Sequence, residues 1–223
     1  MKSDSRAGRP GQLLHVVSLV PVRRPSDPVK RLLDLTVGVT GLVVLSPVLV
    51  VVAISVRLTM GRPVLFRQAR AGRNGQAFRL AKFRTMRAAG PGEDGPEFDE
   101  RRLTRLGRLL RATSVDELPS LVNVVRGELS LVGPRPLPVR YLPRYSPDQA
   151  RRHEVRPGIT GWAQINGRNT LSWDDKFALD VWYVEHRSLM LDLRILARTA
   201  GQVLKREGIS QTGHATMPEF DGS

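Results

Sequence analysis

The chain has no cysteine, which excludes disulfides and thiolate metal sites. Histidine is nearly as scarce. The four present (His15, His153, His186 and His214) are scattered without ligand spacing, so no zinc site is expected. Aromatic residues make up only 5% of the sequence, whereas single-strand nucleic-acid binders interleave basic residues with aromatic stacking platforms. That scarcity argues against nucleic acid as a partner. The start of the sequence does not read as a secretory signal. The short apolar run 13–20 is broken by His15 and Ser18, cannot cross a bilayer, and has no small-residue cleavage site after it. No internal repeat is present.

Positive charge is abundant. Lys and Arg number 35 against 21 Asp and Glu, a net +14 over 223 residues. Such an excess fits an anionic partner, such as nucleic acid, an anionic lipid surface or a phosphorylated ligand. Arg predominates over Lys, which favours planar, bidentate phosphate recognition. The length allows one compact domain with an appendage.

The strongest local signal is Leu35–Val56, 22 residues without a charge. As a straight helix they extend roughly 33 Å, close to the ~30 Å hydrocarbon core. A single transmembrane span is one reading. However, Ser46-Pro47 lies mid-run, where proline removes a donor and bends a helix. Lys30 and Arg31 precede the run and Arg57 and Arg62 follow it, so the positive-inside rule gives no orientation. A re-entrant helix that bends at Ser46-Pro47 and returns to the same face satisfies both observations. The Ser46 hydroxyl is expected to bond a carbonyl that the proline frees.

The organisation expected is a disordered lead over 1–28, a helix–break–helix over 29–60, a globular domain over 61–210 and a disordered tail over 211–223. The fold class expected is α/β, mostly α with a small β-hairpin. Its strands are 64–70 and 76–85 around Arg73-Asn74-Gly75, a strong hairpin-turn signal. Residues 101–111 read as a helix with Leu103, Leu106 and Leu110 on one face. That basic helix is either a solvated face or an interfacial one, with leucines in lipid and arginines at headgroup phosphates. Leu118–Val125 and 191–206 read as further helices.

Asp116-Glu117 opens the first of these. Ser114-Val115-Asp116-Glu117 fits a capping box, with Ser114 as cap and Glu117 reaching back. The same carboxylates, at a helix start, could instead divide labour between attack and divalent-metal binding. Gly133-Pro134-Arg135-Pro136 holds an arginine between two prolines, either as a rigid connector or as a guanidinium aimed at phosphate. Arg156-Pro157-Gly158 repeats the device. Lys82 and Arg84 fall on one strand face.

Together these segments resemble a known family. Lys30-Arg31-Leu32-Leu33-Asp34, the Ser46-Pro47 helix, KFRTM (82–86), RATSVDELPSLVNVVRGELSLVGPRP (111–136) and RPGITGWAQINGRN (156–169) look like the bacterial sugar transferases. These are the monotopic phosphoglycosyl transferases that act on polyprenol phosphate. With no multi-span region before Lys30, the chain resembles the small form. The resemblance implies transfer of a sugar 1-phosphate from a UDP-sugar to undecaprenyl phosphate, with release of UMP. It implies Asp116 as nucleophile, forming a covalent phosphosugar–aspartyl intermediate, and Mg²⁺ held by Glu117 with Asp116. Arg111, Arg135, Arg156, Lys82 and Arg84 are then the cations expected to meet phosphate. It further implies a monotopic enzyme among the lipids of the bacterial inner membrane, on its cytoplasmic face, and it leaves room for a homo-oligomer.

Asn166, Arg168, Asn169 and Trp173 mark the expected sugar and nucleotide region. This stretch looks closest to members that handle N-acetylated amino sugars, with galactose and glucose as the alternatives. Trp173 and Phe177, at i and i+4, otherwise simply pack the following helix. Two competing functions remain: a non-catalytic, membrane-anchored basic module binding anionic lipid or nucleic acid, and a different polyprenol-phosphate enzyme. The carboxylate pair amid cations favours the phosphoglycosyl transferase, because a binding surface needs no such pair.

Overall fold

A computed structural model of the chain describes residues 27–90, 92, 98–167, 171–205 and 219–222. The expected disorder of the lead and of most of the tail lies outside the described residues.

Helix α1 (Asp27–Val44) and helix α2 (Ser46–Met60) meet at Leu45 with a bend of 62°. The cause is local. Pro47 has no N–H to offer the Val43 carbonyl four residues back, and the Ser46 hydroxyl donates to that carbonyl instead, at 2.7 Å. No single described helix is long and apolar enough to cross a membrane, but the bent pair together is, by length and composition. Val39, Val43, Val44, Val48, Val51 and Ile54 are all exposed along it. A contiguous apolar surface of this kind marks contact with something other than water.

Polar bonds hold the base of α1. Arg31 donates to the carbonyls of Val124 (2.7 Å) and Val125 (2.8 Å). Lys30 donates to the Asp192 carboxylate (2.6 Å) and the Val132 carbonyl (3.1 Å). Asp34, 1% exposed, accepts from the Ser130 hydroxyl (3.1 Å) and the Leu131 amide (3.0 Å). The Lys30–Asp34 segment is thus a clamp that fixes the helix pair to the domain.

Strands β1 (Leu65–Ala71) and β2 (Ala77–Phe83) form the expected antiparallel hairpin, with Leu65 opposite Phe83 and Ala71 opposite Ala77. Asn74 and Gly75 take φ of 55° and 73°, the left-handed backbone that Asn-Gly turns require. The helix expected over 101–111 is two pieces, α3 (Asp99–Arg102) and α4 (Arg105–Ala112). Leu103 is extended and bridges Met86, and Thr104 restarts the helix by accepting from the Gly107 amide at 2.9 Å. The leucine face packs against the protein at Leu106 and Leu110, while Leu109 is exposed. Leu110 is buried, and with Leu106 it packs in a cluster containing Val56 of α2 and Phe83.

The helix expected over 118–125 is a 3₁₀ turn (Val115–Ser120) followed by α5 (Leu121–Arg126), because Pro119 interrupts regular bonding. β3 (Ser130–Val132) then pairs in parallel with β4 (Gly158–Thr160), a second small sheet that the hydrophobic pattern does not reveal. Between them lie a 3₁₀ turn (Val139–Arg144) and α6 (Pro147–Ala150). Helices α7 (Trp162–Ile165), α8 (Trp173–His186) and α9 (Leu189–Lys205) complete the described chain. The α/β reading, mostly helical with a hairpin, holds.

The main core gathers Phe78, Leu80, Val124, Leu131, Tyr183 and Ile195 from both sheets and helices α5, α8 and α9. A separate aromatic cluster joins Tyr141, Phe177 and Phe220. Phe220 is 1% exposed, so the expected tail disorder over 211–223 does not extend to 219–222.

Candidate active site

The site is built where α4, the 3₁₀ turn and β2 meet. Gly107 makes that junction close: a Cβ there would lie 1.9 Å from the Thr85 carbonyl oxygen, so only glycine lets α4 cross this backbone. The crossing brings Arg111 of α4 to the Thr85 hydroxyl, to which its Nε donates at 3.1 Å. The chain then reverses at Ser114, whose φ of 56° is left-handed. The expected capping box does not form. Ser114 makes no side-chain cap, and Glu117 turns away from it. Ion pairing wins because two cations stand on the other side.

Glu117 Oε1 accepts from Lys82 Nζ at 2.5 Å and from Arg135 Nη2 at 3.1 Å. Lys82 comes from β2. The Asn123 side chain fixes that strand to α5, accepting from the Ala81 amide at 3.2 Å and donating to the Arg79 carbonyl at 2.9 Å. Arg135 comes from the loop after β3. There the chain passes so close to β4 that a Cβ on Gly133 would lie 2.4 Å from the Arg156 carbonyl oxygen. Gly133, Gly158 and Gly161 of the GPRP and RPGITG loops are therefore there for steric reasons. Arg152, 3% exposed, holds the Arg135 carbonyl at 2.8 Å and pairs with buried Asp180 at 2.6 Å.

The two adjacent carboxyls are held in opposite protonation regimes. Burial alone would raise Glu117, but Arg135 and Lys82 outweigh it and hold it down at about 2. Burial, then the neighbouring Glu117 charge, pushes Asp116 up to about 6 against Lys82, Arg111 and Arg135. Such a divergence between neighbouring carboxyls is a feature of functional sites. A cleft opens beside them, lined by Arg70, Lys82, Glu117, Arg135, Pro136 and Ile159.

Of the cations expected at phosphate, Lys82, Arg111 and Arg135 converge on the carboxylate pair. Arg84 and Arg156 do not. Arg84 donates to the carbonyls of Met60 and Arg62, and so closes the end of α2. Arg156 donates to the Gly127 carbonyl at 2.9 Å, beyond the end of α5, and lines a second cleft with Lys30 and Tyr183. Asn166 is exposed and bonds the Trp162 carbonyl at 2.8 Å. Trp173 packs with Tyr141, Phe177 and Phe220, as the packing alternative has it. Arg168 and Asn169 lie outside the described residues. Sequence reasoning missed Arg70, Arg152 and Asp180. Arg152 and Asp180 stand 28 positions apart with no local pattern to join them.

Among the described residues no group of three or more His, Cys, Asp and Glu could hold a metal. Magnesium, however, commonly takes one or two carboxylates, with water and substrate phosphate completing its shell. Both cations bind Glu117 through Oε1, and Asp116 is adjacent. The pair therefore fits that mode of binding.

Comparison with known proteins bears on what such a site does. The family model described as bacterial sugar transferase matches residues 25–206. An uncharacterized sugar transferase, EpsL of Bacillus subtilis, is 55% identical over 194 residues, 87% of this chain and 96% of that protein. A UDP-glucose:undecaprenyl-phosphate glucose-1-phosphate transferase of Caulobacter vibrioides is 39% identical, over 78% of this chain and 69% of its own length. An undecaprenyl-phosphate galactose phosphotransferase of Salmonella typhimurium is 35% identical over 83% of this chain, which spans 42% of that longer protein.

Proposed function

From the premise that the chain belongs to the bacterial sugar transferase family, we propose that it is a phosphoglycosyl transferase moving a sugar 1-phosphate from a UDP-sugar to undecaprenyl phosphate, through a covalent intermediate on Asp116. The observation that carries this reading is the carboxylate pair with Lys82, Arg111 and Arg135 gathered around it, beside a cleft that Lys82, Glu117 and Arg135 line. A diphosphate repels an anionic nucleophile, and these cations offset the repulsion.

The geometry supports the following roles. Asp116 attacks the sugar-bearing phosphorus, and the bond to the other phosphate breaks, releasing UMP. Undecaprenyl phosphate then attacks the same phosphorus and returns Asp116 as a carboxylate. Each half-reaction balances without a net proton transfer. Glu117, ionised and fixed by two cations, holds Lys82 and Arg135 in place. Glu117 and Asp116 would also hold Mg²⁺, which when bound neutralises charge on the diphosphate oxygens. The exposed apolar helix pair supports insertion into the membrane as a re-entrant element on its cytoplasmic face, with the cleft at headgroup level.

UMP release, measured across a panel of UDP-sugars with undecaprenyl phosphate, tests the proposal. The names of the relatives place UDP-glucose and UDP-galactose on that panel, and the Asn166–Phe177 pattern adds N-acetylated amino sugars. Turnover with at least one donor is expected, lost in Asp116→Asn and in excess EDTA. Silence across the panel contradicts the proposal and returns the basic binding module.

A further inference from the structure

Arg70 lines the cleft beside Glu117 and Arg135, yet none of the roles above uses it. It stands on β1, across the hairpin from Phe78. Its guanidinium donates to two neutral acceptors, the Pro136 carbonyl (3.2 Å) and the Gln68 side chain (2.5 Å). Its Nε is buried and has no hydrogen-bond partner among the described residues. No carboxylate forms an ion pair with it among those residues, although Arg135 and Arg140 both press on its charge. A partly buried cation beside other cations, bonded only to neutral groups, is costly unless an anion joins it.

Position along the hairpin orders the cations. Arg111 bonds Thr85 just past the end of β2, Lys82 lies near that end, and Arg70 stands opposite Phe78, four residues back along β2 from Lys82. Lys82, Arg111 and Arg135 all act on the Asp116 charge. A phosphate under attack by Asp116 therefore sits among these three. Arg70 lies one step further along the cleft, where the second phosphate of a diphosphate falls.

Resting on the transferase reading, we propose that Arg70 forms the slot for the phosphate that is not transferred. In the first half-reaction that is the departing nucleoside monophosphate, whose oxygen takes the electron pair of the broken P–O bond. The attacking lipid phosphate must approach the phosphorus from the side the leaving group vacated, in line with the Asp116 oxygen. It therefore enters the same slot. One arginine thus serves a soluble and a lipid phosphate in turn.

The test uses the full chain in detergent. Single-turnover UMP release without lipid reads the first step, and capture of the phosphosugar-enzyme by undecaprenyl phosphate reads the second. Arg70→Gln is expected to slow both by at least roughly tenfold, as loss of a charge-assisted hydrogen bond does. Arg70→Lys is expected to restore part of each. Decay of the phosphosugar-enzyme in water, which brings no phosphate, and the thermal unfolding midpoint are expected to match wild type. Unchanged rates overturn the proposal. So does loss of the donor step alone. A fall in water decay or unfolding midpoint alongside the two rates also overturns it, because Arg70 would then merely brace Pro136.

If wild type releases no UMP from any donor, the transferase reading fails separately. Inorganic pyrophosphate then judges the slot. A thermal shift in wild type that Arg70→Gln lacks upholds it, and equal or absent shifts overturn it.

Discussion

At the scale of single residues, Asp116 and Glu117 are chemically identical groups that the fold makes different. Lys82 and Arg135 both bond Glu117, so it stays ionised at any working pH. Asp116 has burial and a like charge beside it, and only partial compensation, so it titrates near 6. A nucleophile must be ionised. Its protonated fraction grows as pH falls below about 6, and kcat/KM for the UDP-sugar is expected to fall tenfold per unit there and to plateau above about 7. That ratio reports the free enzyme, and the donor diphosphate does not titrate in this range. A flat profile from pH 5 to 8 would mean that Asp116 is already ionised throughout this range in the metal-bound enzyme. The sequence displays the pair, and it displays Lys82 and Arg135 within recognisable motifs. It hides Arg70, one arginine among Arg67, Arg70 and Arg73, because nothing in a strand's alternation tells which of them a distant loop will face.

At the scale of elements, short pieces position the site, and long-range polar bonds hold those pieces. The loop carrying Arg135 depends on Arg152, whose guanidinium bonds the Arg135 carbonyl and the Asp180 carboxylate. Both side chains of that ion pair are at most 5% exposed. Asp180→Asn leaves a buried arginine without its counter-charge, and a loss of about 3–5 kcal/mol is expected, read by chemical denaturation. A loss under about 1 kcal/mol would mean that the pair is not the brace it looks to be. The hairpin, with its Asn-Gly turn, and the bend at Ser46-Pro47 are legible in the sequence because their causes are local. The β3–β4 pairing, the split between α3 and α4 and the burial of Phe220 are not. Each depends on a partner far along the chain: Gly158 for Ser130, Met86 for Leu103, and the Tyr141–Phe177 cluster for Phe220.

At the scale of the molecule, the bent apolar pair is joined directly to the domain that carries the cation-lined cleft, because the Lys30–Asp34 clamp bonds α1 to β3 and α9. A span would carry the chain to the far side of the bilayer and a re-entrant hairpin returns it. Cysteines introduced before Lys30 and after Arg62 are therefore expected to react with an impermeant reagent from the same side, the chain having no cysteine of its own. Labelling from opposite sides would establish a span. Pro47→Ala restores the missing donor at the bend, and its labelling is expected to shift toward the opposite-side pattern.

The central claim is that Asp116 carries the sugar phosphate between donor and lipid. Intact-protein mass spectrometry after brief exposure to a turned-over UDP-sugar, with no lipid phosphate present, tests it most directly. A mass increase of one sugar phosphate is expected, located on the peptide containing Asp116, absent from Asp116→Asn and discharged by undecaprenyl phosphate. UMP release from a protein whose mass does not change, or an adduct on any other residue, would contradict the account.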